Sequence, residues 1–200
     1  SLQRFWAQDA PRLYFMQPIV PAPQNPFKPT RKAKRMWNVQ PRMIIAALKG
    51  GAGKTILSLG LAAAWKHKGF HIAPFKKGPD FIDAAWLTLA AGRPCYNLDA
   101  FMMTEEAILQ SLMRHSTDAD LSLIEGNRGL FDGLDREGCC STSELAKLTR
   151  CPVVLIVDVT MVTRTVAALV LGCQNFDRDL KIAGVILNRV AGPRQEALIR

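Results

Sequence analysis

The sequence predicts a three-layer, doubly wound α/β fold with a mostly parallel sheet across residues 43–200. Two observations carry that expectation. Short runs that are nearly continuous in apolar residues alternate with stretches of helical length, as strands buried on both faces do when crossover helices join them. Each run also ends in polar residues, where ligands of such sheets bind, beyond the C-terminal ends of the strands.

The elements follow in order. Strand Met43–Leu48 runs into Lys49-Gly50-Gly51-Ala52-Gly53-Lys54-Thr55 and a helix at Ile56–Lys68. Strand Ile72–Phe75 gives way to Lys76-Lys77-Gly78-Pro79-Asp80-Phe81-Ile82-Asp83, with a helix over Ile82–Ala91. After a helix at Glu105–His115, strand Leu121–Ile124 ends in Glu125-Gly126-Asn127-Arg128-Gly129-Leu130-Phe131-Asp132-Gly133. Ser141 with Glu144 three residues on reads as a capping box opening helix Ser143–Thr149. Strand Val153–Val157 ends at Asp158, helix Val162–Cys173 follows, and strand Ile182–Leu187 ends at Asn188-Arg189. Right-handed crossovers would set all five polar strand ends along one reaction edge.

Length and charge divide the chain. Two hundred residues suit one domain with a full core. The net charge is +9, but residues 1–42 hold eight Lys/Arg and one Asp, leaving only +2 for residues 43–200. Seven of the twelve prolines also fall within residues 1–41, so residues 1–42 read as a basic, extended or disordered leader. The nearly balanced remainder argues against nucleic acid as a partner. No run is apolar enough for a secretory signal or a membrane span. Five cysteines without Cys-x-x-Cys spacing suit reduced thiols in a cytoplasmic protein, and adjacent Cys139 and Cys140 do not easily point at one metal. His67, His71 and His115 have no ligand spacing.

The glycine-rich turn carries the clearest chemistry. Glycines let successive N–H groups of residues 49–53 curl toward an anion, and the following helix N-terminus adds its dipole. Lys54 can reach β- and γ-phosphates, and the Thr55 hydroxyl is the usual Mg²⁺ ligand. A P-loop NTPase using ATP and Mg²⁺ is therefore expected, with cofactor contacts from Lys49, Gly50, Gly51, Ala52, Gly53, Lys54 and Thr55. Leu48 stands where the standard pattern has glycine, and Lys49 heads the loop instead. That lysine resembles the variant P-loops of partition and septum-positioning ATPases, in which it reaches across a dimer.

Asp80 and Asp83 would lie one helical turn apart beside Lys76 and Lys77, a plausible Mg²⁺ and phosphoryl-transfer site or else a helix cap with its first-turn partner. Glu125 follows its strand directly, where a Walker-B-like acid reaches the metal. Asp132 lies beyond two glycines of the same loop, suited to catalysis or to turn formation.

The runs Pro74–Asp83, Gly92-Arg93-Pro94, Asn97-Leu98-Asp99, Glu125–Gly133, Ser141–Ala146 and Gly184–Arg189 together resemble the cobyrinic acid a,c-diamide synthases over about residues 43–200. The resemblance implies a dethiobiotin-synthetase-like architecture and amidation of a corrin precursor's a and c carboxylates in cobalamin biosynthesis, with ATP, Mg²⁺ and glutamine or ammonia. It implies an acyl phosphate on the substrate, formed among Lys54, Lys76, Asp80, Asp83, Glu125 and Asp132. Thr55, Asp80, Asp83 and Glu125 would then surround the metal, and Asn188, with Arg189 beside it, would read the base. Phe81 and Ile82 would lie against the macrocycle. The family carries a C-terminal glutaminase domain that residues 1–200 lack, so nitrogen would come from such a domain or subunit, or from free ammonia. A homodimer is compatible with Lys49. The alternatives are a nickel-sirohydrochlorin a,c-diamide synthase and a partition-type switch ATPase.

Overall fold

The computed structural model describes residues 41–199; the expected leader lies outside them except for Pro41 and Arg42. Six strands form one sheet: β1 (Arg42–Ala47), β2 (Ile72–Lys77), β3 (Tyr96–Leu98), β4 (Leu121–Glu125), β5 (Val153–Asp158) and β6 (Ile182–Asn188). Their order is β3-β2-β4-β1-β5-β6, and every pairing is parallel. The connecting helices are α1 (Lys54–His67), α2 (Phe81–Ala91), α3 (Glu105–Ser116), α4 (Thr142–Thr149), α5 (Thr165–Phe176) and α6 (Pro193–Ile199). Among the described residues, no helix is long and apolar enough to cross a membrane.

Strand side chains alternate between two faces, and each face has its own core. Met43, Ile45, Ala47, Leu121, Leu123, Val154 and Ile156 pack under Leu61, Ala62 and Trp65 of α1. Ile44, Ala46, Phe75, Ile124 and Leu155 face the other way, against Ile108 and Leu112 of α3, Leu145 of α4 and Val166 and Val170 of α5. These are the two outer layers of the expected sandwich. Fully buried side chains such as Phe75, Ile44 and Ile124 each contribute roughly 1.5–3 kcal/mol by leaving water.

The same alternation positions the reaction edge. Lys76, Glu125, Asp158 and Asn188 sit an even number of residues from Ile72, Leu123, Ile156 and Ile186, so all four point to the α1 face. Lys77 takes the opposite parity, that of Ala73 and Phe75. Lys76 and Glu125 are register partners across β2 and β4, as are Asp158 and Asn188 across β5 and β6.

Two elements have no counterpart in the sequence-based expectation. β3 is only three residues, with no apolar run to announce it. The closing helix α6 begins with Pro193 at its first position, where the missing N–H has no intrahelical partner to lose. Ser141 caps α4, its hydroxyl accepting from Glu144 N at 3.3 Å. The Glu144 carboxylate reaches forward to Lys147 (2.8 Å), a different contact from the one a capping box gives it.

Candidate active site

The P-loop spans the gap between β1 and α1, and α1 begins at Lys54, two residues before the expected start. Gly51 (φ 70°) and Gly53 (φ 101°) make the turn. A side chain at Gly53 is excluded twice over: by that φ, and because a Cβ there would stand 2.5 Å from Asn188 Nδ2.

Two strands clamp the loop from one side. Asn188 Nδ2 donates to Ala52 O (2.8 Å), and Arg189 Nη2 donates to Gly51 O (3.0 Å). Arg189 Nη1 also donates to Asp158 Oδ2 (2.9 Å), which pairs with Lys49 Nζ at 3.4 Å. The Thr160 hydroxyl donates to Asp158 Oδ1 (2.6 Å). That bond and the Thr160 N–H, helped by the cations, hold the Asp158 carboxyl down to about 2. Asp158 thus ties Lys49, β5 and β6 together, a role no local spacing announces. Its sequence signals are its place at a polar strand end and the even parity that it shares with Val154 and Ile156. Asn188 engages both ends of its amide within the chain, since its Oδ1 accepts from Arg189 N (3.0 Å).

Lys54 is almost buried, and its ammonium donates to Arg128 O (2.7 Å) and Lys49 O (3.3 Å). Burial, and then repulsion from Lys76, bring it below the ordinary lysine value. Carbonyls rather than a carboxylate hold this charge beside the P-loop.

The second cation is held differently. Lys76, 2% exposed, donates to Asp83 Oδ2 (2.7 Å) and Glu125 Oε1 (2.9 Å), with Asp80 Oδ2 at 3.9 Å. Burial opposes its charge, but Glu125 and Asp83 outweigh burial and hold its pKa above the ordinary value. Glu125 is fully buried, and burial pushes its carboxyl up despite Lys76 and Thr55. Burial would also raise Asp83, yet its bond from Lys76 leaves it below the ordinary carboxylate range. The Thr55 hydroxyl donates to Glu125 Oε1 (2.7 Å) and lies 3.4 Å from Asp83 Oδ2.

The structure therefore brings Thr55, Lys76, Asp83 and Glu125 into one cluster at the start of α1. Asp80 stands at its rim. Its Oδ1 accepts from Ile82 N (3.0 Å) and Asp83 N (2.9 Å), so it is the N-cap of α2. Asn97 Nδ2 of β3 holds the same loop through Gly78 O (2.6 Å) and Asp80 O (2.9 Å). Asp132 lies on the β4–α4 loop, where its Oδ2 accepts from Gly129 N (2.9 Å), within electrostatic reach of Lys54.

The donor set suits a hard divalent cation. Glu125 Oε2 is buried with no hydrogen-bond partner among the described residues, while Oε1 of the same carboxylate accepts from the Thr55 hydroxyl. No group of three or more His, Cys, Asp or Glu among the described residues is arranged to hold a metal alone. Mg²⁺ does not need one, because phosphate oxygens and water usually complete its shell.

A model of the CobQ/CobB/MinD/ParA nucleotide binding domain matches residues 43–200. A cobyrinate a,c-diamide synthase of Magnetococcus marinus is 49% identical over 160 residues, 80% of this chain and 34% of that protein. A hydrogenobyrinate a,c-diamide synthase of Streptomyces coelicolor is 45% identical over 161 residues, 80% of this chain and 33% of that protein. The chain thus spans about a third of the length of the curated relatives it matches. Among solved structures, the signal recognition particle receptor FtsY of Elizabethkingia anophelis, in complex with GDP, aligns with a TM-score of 0.50 and 14% identity. That alignment covers 88% of this chain and 55% of that one, and at such identity it speaks to the fold alone.

Proposed function

Because this chain belongs to the CobQ/CobB/MinD/ParA nucleotide binding domain family, we propose that its P-loop takes ATP to activate a tetrapyrrole's carboxylates for amidation. The preferred substrate is cobyrinate or a close relative, amidated at its a and c side chains. The observation that carries this reading is the buried Lys76 ammonium, held between Asp83 and Glu125 where α1 begins. A nucleotide switch has no evident need for a second buried lysine on β2. An enzyme that must bring a carboxylate anion to a triphosphate does.

The step is a phosphoryl transfer to carbon-bound oxygen. A substrate carboxylate oxygen attacks the γ-phosphorus, the bond to the β-phosphate bridge breaks, and ADP leaves. Ammonia then attacks the acyl carbon and the acyl–oxygen bond breaks, giving the amide and inorganic phosphate, which carries the proton lost from nitrogen. Nitrogen comes from free ammonia or from a glutaminase domain or subunit.

Lys54 and Lys76 place two positive charges where charge migrates in the transition state, in surroundings where such charges act strongly. Thr55, Glu125 and Asp83 are the residues that would hold Mg²⁺, with Asp80 at the rim. A bound Mg²⁺ supplies further positive charge to the phosphate oxygens. Asn188 and Arg189 engage loop carbonyls, which keeps the loop's N–H groups turned toward the phosphates. Asp132 supports the loop that cradles Lys54.

The test is to incubate the chain with ATP, Mg²⁺ and ammonium and, in parallel, cobyrinate, hydrogenobyrinate and nickel-sirohydrochlorin. Mass spectrometry is expected to find two carboxylates converted to amides on one of the cobalt-pathway substrates. Conversion of nickel-sirohydrochlorin alone would reassign the substrate. ATP turnover that ignores every tetrapyrrole and responds to DNA or lipid would replace amidation with a switch.

A further inference from the structure

Two thiols on the β4–α4 loop have no part in this chemistry. Cys139 and Cys140 are adjacent in sequence, which argued against their converging on one centre. In the structure their sulfurs are 3.4 Å apart. The convergence comes from the backbone: Cys140 has a left-handed φ of 60°, which swings its side chain back toward Cys139.

The surrounding loop fixes that arrangement. Cys139 N donates to Asp135 Oδ1 (2.8 Å), Cys139 O accepts from Leu134 N (2.9 Å), and Ser141 N donates to Gly138 O (3.0 Å). Cys139 is exposed and Cys140 half-buried, so the pair is reachable from solvent. Lys77, of opposite strand parity to Lys76, lies within electrostatic reach of Cys140, as does Asp99. Burial and the neighbouring thiol hold Cys140 above the ordinary thiol value, and Cys139 is the more exposed of the two.

The sulfur separation lets one soft centre bond both thiols. Bonds of about 2.3 Å, the length of a metal–thiolate bond, would span 3.4 Å at about 95°. A pyramidal trivalent centre holds its bonds near that angle. A tetrahedral dication needs three or four protein ligands, and among the described residues no third His, Cys, Asp or Glu joins this pair. A disulfide fits less well still: its sulfurs must close to about 2.05 Å, and neighbouring Cα atoms at about 3.8 Å fall below its usual range.

The geometry points to a vicinal dithiol site at Cys139 and Cys140 that chelates a trivalent, thiophilic electrophile of the organoarsenical class. With an arsenic oxide R–As=O, two S–H bonds and the As=O bond break, two As–S bonds form, and one water leaves. Arsenic stays trivalent, so no oxidant or reductant takes part.

The full chain is incubated with stoichiometric phenylarsine oxide in the presence of excess monothiol and examined by native mass spectrometry and peptide mapping. One adduct is expected, mapping to residues 139–140, with two fewer alkylatable thiols and release by 2,3-dimercaptopropanol. Two-point attachment exceeds single attachment by about a hundredfold or more. Cys139→Ser and Cys140→Ser should each therefore lower apparent affinity by at least that factor, while Cys95→Ser leaves it unchanged. An adduct that maps elsewhere, or one that survives either serine substitution, overturns the proposal. So does the absence of uptake together with a product lighter by two hydrogens at this pair, which would make it a disulfide instead.

Discussion

Lys54→Ala is expected to lower tetrapyrrole-dependent phosphate release by about two to three orders of magnitude while leaving the fold intact. The two halves of that statement have separate causes. The ammonium bonds only carbonyl oxygens, Arg128 O and Lys49 O, so its removal strands no buried carboxylate. The expected stability loss is about 1 kcal/mol, that of a hydrogen bond or two exchanged for water. The same ammonium stands beside the P-loop with its pKa lowered by burial. A charge there acts on phosphate oxygens with little screening, which is why its loss is large in rate. Phosphate release and the thermal midpoint, measured on the same preparations, check both halves. Unchanged release in a folded variant would contradict the site.

Lys76→Met is expected to do the opposite in kind, destabilising the fold by about 3–5 kcal/mol as well as stopping turnover. Methionine fills much of the volume, so the loss is not chiefly a cavity. It arises because fully buried Glu125 keeps its charge and loses its ammonium, retaining only the Thr55 hydroxyl on Oε1. Burial already pushes the Glu125 carboxyl up, and without Lys76 nothing cationic bonds it. The folded variant therefore binds the Glu125 proton more tightly than the unfolded chain does. Its deficit relative to the parent should shrink as pH falls and grow as pH rises through the raised value. Adding Glu125→Gln should recover part of the stability, because the stranded charge is gone, without restoring turnover. Denaturant midpoints of the four proteins at two pH values measure that coupling. A single Lys76→Met variant as stable as the parent would show that the buried pair is not held as described.

The strands that build the core were legible because burial on both faces leaves an apolar run that needs no partner to be recognised. β3 was not, since Tyr96-Asn97-Leu98 owes its strand form to pairing with β2. The P-loop lysine and threonine were legible from spacing, and Asp80, Asp83 and Glu125 from their positions after strands. Spacing alone left the two acids of the β2–α2 loop equivalent. The α2 cap separates them: Asp80 spends an oxygen on two backbone N–H groups, and Asp83 turns toward Lys76 and Thr55. The resemblance singled out Lys76 over Lys77, and the strand's parity supplies the physical reason, since Lys76 shares the face of Ile72 and Lys77 that of Phe75. The Asp158 tie to Lys49 and Arg189 and the approach of Cys139 to Cys140 needed the loops in three dimensions.

The account turns on whether the oxygen of a substrate carboxylate becomes the bridge to phosphorus. Cobyrinate labelled with ¹⁸O in its a and c carboxylates, incubated with ATP, Mg²⁺ and ammonium, tests this in the released phosphate. The account predicts one labelled oxygen in inorganic phosphate for every amide formed. Amide formation with unlabelled phosphate would mean that the carboxylate does not take up the γ-phosphoryl group, and the assignment of Lys54, Lys76 and Glu125 to an acyl-phosphate site would be wrong.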